Sequence, residues 1–201
     1  MKLPSSKAMT IGFVAFTILV VLLIVYGWAT HEEPGLLPDA PQWGHAPLIV
    51  FGQAGLLAAD GLAIEESETR ALAAAMQATN ERLGFTMFRP EADIANERID
   101  VLVTFRVPVG DDGCERAGGN VTIETDPSGP FCTVLLCNTG TSELEQLTIQ
   151  HELAHCLGLA DEKGANPQSI MADEQTPTPR GELPRWISDS DRAILRRLYA
   201  P

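Results

Sequence analysis

The sequence predicts an α+β domain built on a twisted, mostly parallel sheet with a mixed edge. Its middle part contains short apolar or alternating runs, typical of buried strands, and one long amphipathic helix lies among them. Two further helices are indicated after the last strand, and each begins with a capping signal. We expect the sheet to pack on these helices.

The first half of the domain supplies two strands and a helix. Residues 48–51 form an apolar run bounded by Pro and Gly, which predicts a buried strand. Residues 67–83 carry apolar side chains at helical spacing, with Ser67 as the expected N-terminal cap and Gly84 as the C-terminal stop. Residues 99–106 change to a period of two, so they predict a strand with a buried face.

A loop and two more strands follow. Residues 121–125 and 131–137 predict strands, joined by a turn whose sequence is Asp-Pro-Ser-Gly-Pro. The preceding loop is rich in Gly and Asp, but the spacing of its carboxylates matches no calcium-binding loop. We therefore predict no calcium at its three acidic residues, Asp111, Asp112 and Glu115.

Two helices complete the domain. Ser142 with Glu145 three residues later predicts a capped helix that extends to about residue 157. Ser188 with Asp191 predicts the start of the last helix. The apolar stripe of that helix consists of Ile194, Leu195 and Leu198.

The formal net charge of −13 excludes one class of partner. Lys2 and Lys7 precede the first acidic residue, Glu32, so the rest of the chain is more acidic still. Such a surface repels nucleic acid and anionic lipid, because both carry negative charge. We predict no nucleic-acid partner.

An uncharged apolar segment near the N-terminus predicts a membrane anchor. Residues 11–28 are dominated by Ile, Val, Leu and Phe, and as a helix they would extend about 27 Å, close to the thickness of a bilayer core. Basic residues precede this segment and none follows it before Arg70, so the N-terminus is predicted to be cytoplasmic and the domain extracytoplasmic. The alternative is a secreted protein whose signal peptide is cleaved after the small residues Gly27 and Ala29.

The chain is therefore divided into three parts. Residues 1–30 are the predicted anchor or signal peptide. Residues 31–46 contain three prolines and two glycines without periodicity, and they predict a linker. Residues 47–201 remain for one domain, and a domain of that size can be stable alone.

All four cysteines lie in the exported part, where an oxidising compartment would allow them to pair. Their even number fits two disulfides with three possible connectivities. Metal ligation is the competing use, but no Cys-x-x-Cys spacing supports it. Of the three connectivities we prefer Cys114 with Cys132 and Cys137 with Cys156.

The most informative segment begins at His151 and reads His-Glu-Leu-Ala-His-Cys-Leu-Gly-Leu-Ala-Asp. His151 and His155 are four residues apart on a predicted helix, so both imidazoles can reach one metal ion. Glu152 would lie beside that ion and accept a proton from a water molecule there. Gly158 allows the chain to reverse after the helix, and Asp161 then arrives as the third ligand. Three protein ligands leave an open fourth position, which distinguishes a catalytic from a structural zinc site.

This segment resembles the metzincin pattern His-Glu-x-x-His-x-x-Gly-x-x-His, which is followed by a methionine turn below the metal. Asp161 stands where the pattern has its third histidine, a variant that resembles the small secreted proteases of the snapalysin group. The Ser-Ile-Met sequence that ends at Met171 is similar to the methionine turn of matrixin-like enzymes, which implies that Met171 forms the floor of the site. Residues 99–105 and 187–199 also resemble a matrixin strand and the closing matrixin helix.

The resemblance implies a metzincin-like zinc endopeptidase that binds a polypeptide in extended form. The three ligands would hold zinc, and Glu152 would act as the general base. One of the strands at 121–125 and 131–137 would be the edge that pairs with the substrate. A second, structural zinc and an inhibitory propeptide cysteine are not implied, because the remaining histidines lie in the predicted linker and that linker is short.

Two other functions remain open. A gluzincin-type protease would take its third ligand from a downstream glutamate, Glu174 or Glu182, although the Gly and Asp after the active-site helix favour the metzincin type. A membrane-tethered zinc-binding module would keep the ligands without turnover, and it would not need Glu152.

The predicted topology can be tested with protease added outside intact cells or spheroplasts. We expect the domain to be digested, because the basic residues that mark the cytoplasmic side precede the apolar segment. Complete protection of the domain would contradict this orientation. A mature N-terminus at Thr30 would establish the signal peptide instead.

Overall fold

The computed structural model describes residues 35–38, 40–54, 64–92, 96–107, 118–137, 142–162, 169–172 and 187–200. Several sequence-based predictions concern residues outside these ranges, namely the apolar segment 11–28, the loop residues Asp111, Asp112 and Glu115, and the alternative ligands Glu174 and Glu182. Within the described ranges, no helix is both long and apolar enough to cross a membrane.

The described residues form an α+β fold with five strands in one sheet and three helices. In chain order the elements are β1 (Leu48–Ala54), α1 (Glu66–Leu83), β2 (Phe88–Pro90), β3 (Val101–Val107), β4 (Gly118–Asp126), β5 (Gly129–Cys137), α2 (Ser142–Cys156) and α3 (Asp189–Tyr199). The strand order is β2-β1-β3-β5-β4, with β4 antiparallel to β5 and all other pairs parallel. The prediction of a mostly parallel sheet with a mixed edge is confirmed.

The central strand β3 shows why an alternating sequence becomes a sheet core. Val101, Val103 and Phe105 are all buried, as the period of two predicts. Val103 pairs with Gly52 of β1 on one side and with Val134 of β5 on the other. The apolar side chains of three neighbouring strands therefore meet in one core.

Helix α1 begins and ends with local signals, although the first differs from the prediction. The backbone N–H of Glu65 donates to the Glu68 carboxylate at 2.8 Å, and Glu65 is the N-terminal cap. The predicted cap at Ser67 is wrong, because this residue already lies inside the first turn. Gly84 ends the helix as predicted, in the left-handed conformation with φ 83°, and its N–H donates to the Asn80 carbonyl at 2.9 Å.

Helix α3 has the predicted cap but a narrower apolar face than expected. The N–H of Asp191 donates to Ser188 Oγ at 3.1 Å, and the N–H of Ser188 donates to the Asp191 carboxylate at 3.3 Å. Leu195 is fully buried, whereas Leu198 is 45% exposed. The predicted stripe is therefore wrong at Leu198, because the helix contacts the core through Leu195, Ile194 and Tyr199.

Helix α2 packs one face on the sheet and leaves another for the site. Its buried residues include Ile149, Leu153 and Cys156, each with no exposed surface. His151 and His155 lie on a different face and keep partial access to solvent. The difference follows from the helical period, which places residues four apart on one side.

A disulfide joins the end of α2 to the sheet. Cys156 pairs with Cys132 of β5, and their Cα atoms are 5.8 Å apart. The predicted pairings Cys114 with Cys132 and Cys137 with Cys156 are wrong. Cys132 and Cys156 both lie in the main core, whereas Cys137 packs with Val107 in a separate small cluster. Cys137 is also disulfide-bonded, and Cys114 lies outside the described residues.

The described part of the predicted linker packs against the domain. The indole N–H of Trp43 donates to the Cys156 carbonyl at 2.9 Å, and the Trp43 side chain is buried. The Tyr199 hydroxyl lies 3.0 Å from the Pro41 carbonyl and 3.1 Å from that of Leu157. Burial raises the pKa of Tyr199 to about 12, so the hydroxyl stays protonated and donates. Residues near position 40 and α3 thus meet at the C-terminal end of α2.

We expect the combined change of Cys132→Ala and Cys156→Ala to lower the free energy of unfolding by about 3 kcal/mol. The reason is that the disulfide closes a loop with a sequence separation of 24 and so restricts the unfolded chain. Denaturant unfolding of the isolated domain measures the loss. Mass spectrometry of a non-reduced digest is the companion measurement, and a peptide that links Cys137 to Cys156 would contradict the pairing.

Candidate metal centre

The two histidines of α2 approach each other closely at the surface of the domain. The rings of His151 and His155 stand edge to face with their centroids 4.6 Å apart. Their Nε2 atoms are separated by 3.0 Å. The side chains are 24% and 15% exposed, so the point between them is shielded but accessible.

Backbone carbonyl groups determine which nitrogen of each ring faces this point. His151 Nδ1 lies 2.7 Å from the Ile170 carbonyl, and His155 Nδ1 lies 2.7 Å from the Leu159 carbonyl. A carbonyl oxygen only accepts, so each Nδ1 must carry the hydrogen. In the neutral rings both Nε2 atoms therefore present lone pairs, which is the form that binds metals.

The Asp161 carboxylate completes a triangle of acceptor atoms. Its Oδ1 lies 3.3 Å from His151 Nε2 and 3.4 Å from His155 Nε2. The side chain is 52% exposed, so it forms the outer wall of the site. The ligand atoms of all three groups lie within 4.8 Å of one another, and the group can hold a metal ion.

The turn that carries this carboxylate is held by residues 35–40 of the chain. Gly158 has a φ of 92°, and a Cβ there would come within 2.7 Å of the Ala40 Cβ. Both the backbone conformation and the available space therefore require glycine. The Leu37 N–H donates to the Gly158 carbonyl at 2.8 Å, and the Ala160 N–H donates to the Gly35 carbonyl at 2.8 Å. The role of Gly158 as the helix-ending turn stays a prediction.

The spacing of the three acceptor atoms fits a tetrahedral metal ion. Zinc binds at about 2.0 to 2.2 Å from nitrogen and carboxylate oxygen, so tetrahedral angles place the ligand atoms about 3.3 Å apart. The observed separations are 3.0, 3.3 and 3.4 Å. Without a cation, two lone pairs and a carboxylate at these distances would repel one another.

The electrostatics of the protein groups favour a positive charge at the same point. Burial disfavours the charged form of His151, but hydrogen bonding to Asp161 and the charge of Glu152 outweigh it, so the pKa of His151 is raised. Hydrogen bonds from both histidines hold the pKa of Asp161 well below its ordinary value. Metal binding needs neutral histidines, so metal affinity should decrease as the pH falls through the raised pKa of His151.

Glu152 lies next to the ligands and is only 5% exposed. Burial raises the pKa of its carboxyl group, and the nearby His151 and His155 oppose this shift without cancelling it. The side chain packs against Gly119 of the edge strand β4. A carboxylate is therefore held between the metal-binding helix and the edge of the sheet.

Met171 is fully buried in the segment that supports His151. Its carbonyl accepts from the Glu162 N–H at 2.7 Å, and its N–H donates to Ser169 Oγ at 3.1 Å. These bonds fix the neighbouring Ile170 carbonyl, which accepts from His151. The role of Met171 as the floor of the site stays a prediction.

Four contributors to the site were not predicted from the sequence. They are Gly119, the Ile170 carbonyl, the Leu159 carbonyl and the residues near Leu37 and Ala40 that hold the turn at Gly158. The Ser-Ile-Met sequence was a signal for Ile170, because its resemblance to a methionine turn implied a position below the metal. For Gly119 the only signal in the sequence was a glycine at the start of a strand. Such a glycine can mark a place where another group approaches the backbone closely.

No protein-family model and no curated protein matches the chain in sequence. Among solved structures, it is similar to high choriolytic enzyme 1, a hatching enzyme zinc-protease from Oryzias latipes, the medaka fish. The sequence identity is 15% and the TM-score 0.44, over 84% of this chain and 98% of that chain. A resemblance of this strength establishes neither family nor activity, so the functional conclusion depends on the residues of the site.

We expect the domain to bind one zinc ion and Asp161→Ala to weaken that binding. The loss should exceed the roughly 10- to 100-fold typical for removing a hydrogen-bonding partner of a ligand, because a direct ligand is lost. Titration calorimetry with Zn²⁺ and metal analysis give the affinity and stoichiometry. Glu124→Ala, which removes an exposed carboxylate of β4, is the matched control. Unchanged affinity in Asp161→Ala would place the third ligand elsewhere.

Proposed function

We propose that this chain is a zinc-dependent endopeptidase of the metzincin type that hydrolyses peptide bonds of extracytoplasmic proteins. The observation that carries the proposal is the convergence of His151 Nε2, His155 Nε2 and Asp161 Oδ1 on one point, at separations of 3.0 to 3.4 Å. Three protein ligands leave room for a water molecule, as catalytic zinc sites require. A buried carboxylate stands beside that position.

The donor set supports zinc rather than a hard cation. Two imidazole nitrogens and one carboxylate oxygen in a tetrahedral arrangement suit zinc, whereas calcium and magnesium prefer six or more oxygen ligands. When bound, zinc would supply Lewis acidity, which increases the acidity of water and polarises a carbonyl group. The protein contributes the fixed positions of the ligands through the Ile170 and Leu159 carbonyls.

Glu152 is proposed as the general base and subsequent acid. It would take a proton from the attacking water as the new C–O bond forms, and it would return that proton to the amine nitrogen as the C–N bond breaks. Its raised pKa supports this role, because a group that accepts and then returns a proton works best when its pKa lies closer to the working pH. Burial also keeps competing water away from the carboxylate.

The substrate is proposed to lie along strand β4. Of the two strands at which the sequence places the substrate edge, β4 is the last strand of the described sheet, and β5 lies between β3 and β4. An extended peptide can add to such an edge through backbone hydrogen bonds. The inward side chains Val121 and Ile123 pack on the core, so the strand offers a rigid template.

Two further observations support the proposed compartment and subtype. The Cys132–Cys156 disulfide supports an extracytoplasmic location, because such bonds persist mainly in oxidising compartments. Asp161 already fills the third position within reach of both histidines, which favours a snapalysin-like ligand set over a gluzincin that would use Glu174 or Glu182.

We expect Glu152→Gln to retain the fold and zinc content but to reduce kcat/KM for peptide cleavage about 10²- to 10⁴-fold. The amide has nearly the same shape as the carboxylate and leaves all three ligands in place, but it cannot accept the proton of water. Cleavage of a peptide library by the wild type identifies a substrate, and kcat/KM and zinc content are then measured for both forms.

Two outcomes would contradict this mechanism. Equal cleavage by wild type and Glu152→Gln would exclude Glu152 as the base. Full zinc occupancy without cleavage of any peptide in a broad library would favour the membrane-tethered zinc-binding module.

A further inference from the structure

Gly119 of strand β4 is in unusually close contact with the Glu152 side chain. A Cβ built on Gly119 would lie 2.5 Å from both Cγ and Cδ of Glu152, and it would also overlap Oε1. Real Cβ atoms essentially never come within 3.0 Å of a heavy atom that belongs to a residue other than their own and its chain neighbours. The Glu152 carboxylate therefore occupies the space that any side chain at position 119 would need.

Space, and not backbone conformation, is what requires glycine at this position. The neighbouring Gly118 has a φ of 138°, which L-amino acids rarely adopt, but Gly119 has no such left-handed backbone. An alanine at 119 would thus be compatible with the strand itself. The three heavy atoms nearest to its Cβ would all belong to Glu152.

Neither backbone can move away easily to make room. Gly119 is paired with Leu136, the second of the nine pairs in a ladder that extends along all of β4 and β5. Glu152 lies within α2, next to the fully buried Leu153. The Glu152 side chain can therefore rotate more easily than either backbone can move. An added methyl group at position 119 would displace the Glu152 carboxylate from the edge strand.

We propose that Gly119 is a positioning residue for Glu152: its missing side chain lets the edge strand approach the helix and hold the carboxylate beside the metal ligands. This inference rests on the proposed peptidase function. Because β4 is also the proposed substrate strand, the same glycine sets the distance between the base and a peptide bound along that edge. The positions of the three ligands do not depend on Gly119. The histidines are held by the Ile170 and Leu159 carbonyls, and the turn before Asp161 is held by Gly35 and Leu37.

The first test is Gly119→Ala, assayed with the zinc-loaded domain. We expect kcat to decrease about 10²-fold, because a displacement of about 1 Å in a reacting group can have an effect of that size. KM should change by less than about 2-fold and zinc affinity should be unchanged. One control should keep wild-type kcat: Gly44→Ala, where a Cβ meets nothing within 4 Å. Wild-type kcat in Gly119→Ala would overturn the proposal.

The second test does not use activity and is carried out on the metal-free domain. Thermal unfolding is compared for Gly119→Ala, Glu152→Ala and the double variant. We expect Gly119→Ala to lower the Tm in the wild-type background and to have no such effect when Glu152 is already alanine, because the conflict is then removed. Should Gly119→Ala fail to fold, the double variant is expected to fold.

The two tests separate this inference from the proposed function. An equal Tm decrease in both backgrounds would show that Gly119 does not act through Glu152 and would overturn the proposal. If Glu152→Gln retains full cleavage, the proposed mechanism fails, and Gly119 then has no base to position. A Tm coupling together with a selective loss of kcat supports both.

Discussion

Two backbone carbonyl groups determine which nitrogen of each imidazole is directed at the other ring, and the rest of the site depends on them. The Leu159 carbonyl comes from the turn after α2, and the Ile170 carbonyl comes from a segment further along the chain. Since each accepts the hydrogen of an Nδ1, the two Nε2 lone pairs are directed at one point before any metal arrives. The helix alone would leave both rings free to rotate. The convergence of the lone pairs therefore depends on tertiary contacts. The lone pairs repel one another, and only a cation, either a proton or a metal ion, relieves that repulsion.

The C-terminal end of α2 is where the long-range contacts of the domain meet. Cys156, the residue after the second histidine, is bonded to β5 and accepts a hydrogen bond from Trp43. Tyr199 of α3 reaches the Leu157 carbonyl, and Leu37 holds Gly158. Asp161 belongs to no helix or strand, so these contacts supply the rigidity that regular structure would otherwise give to a third ligand. A site with one exposed ligand on a turn can be pre-organised in this way, which reduces the entropy lost on binding.

The parts of the fold that could be predicted from sequence are those set by local geometry. The spacing of His151 and His155, the stop at Gly84 and the Ser188–Asp191 cap each depend on residues within one helical turn. The wrong predictions concern choices between local alternatives or contacts between distant segments. Ser67 was the expected cap, but the pairing of Glu65 with Glu68 makes the helix begin earlier. The disulfide joins residues whose proximity arises only when α2 packs across the sheet, and Tyr199 meets Pro41 across a separation of 158 residues. The spacing of apolar residues along the sequence carries no information about such long-range contacts.

The placement of Glu152 bears most directly on whether the site catalyses or only binds. A metal-binding module needs three ligands and the carbonyls that orient them, and it does not require a further acidic group beside them. Burying a carboxylate disfavours its charged form, and the raised pKa of Glu152 reflects that cost. The edge strand also gives up a side chain at Gly119 to admit it, although glycine weakens a strand by loss of packing and by entropy. These two destabilising features meet at one carboxylate, beside the metal-binding group and at the last strand of the described sheet. The proposed proton transfer by Glu152 would explain both together, whereas metal binding alone requires neither.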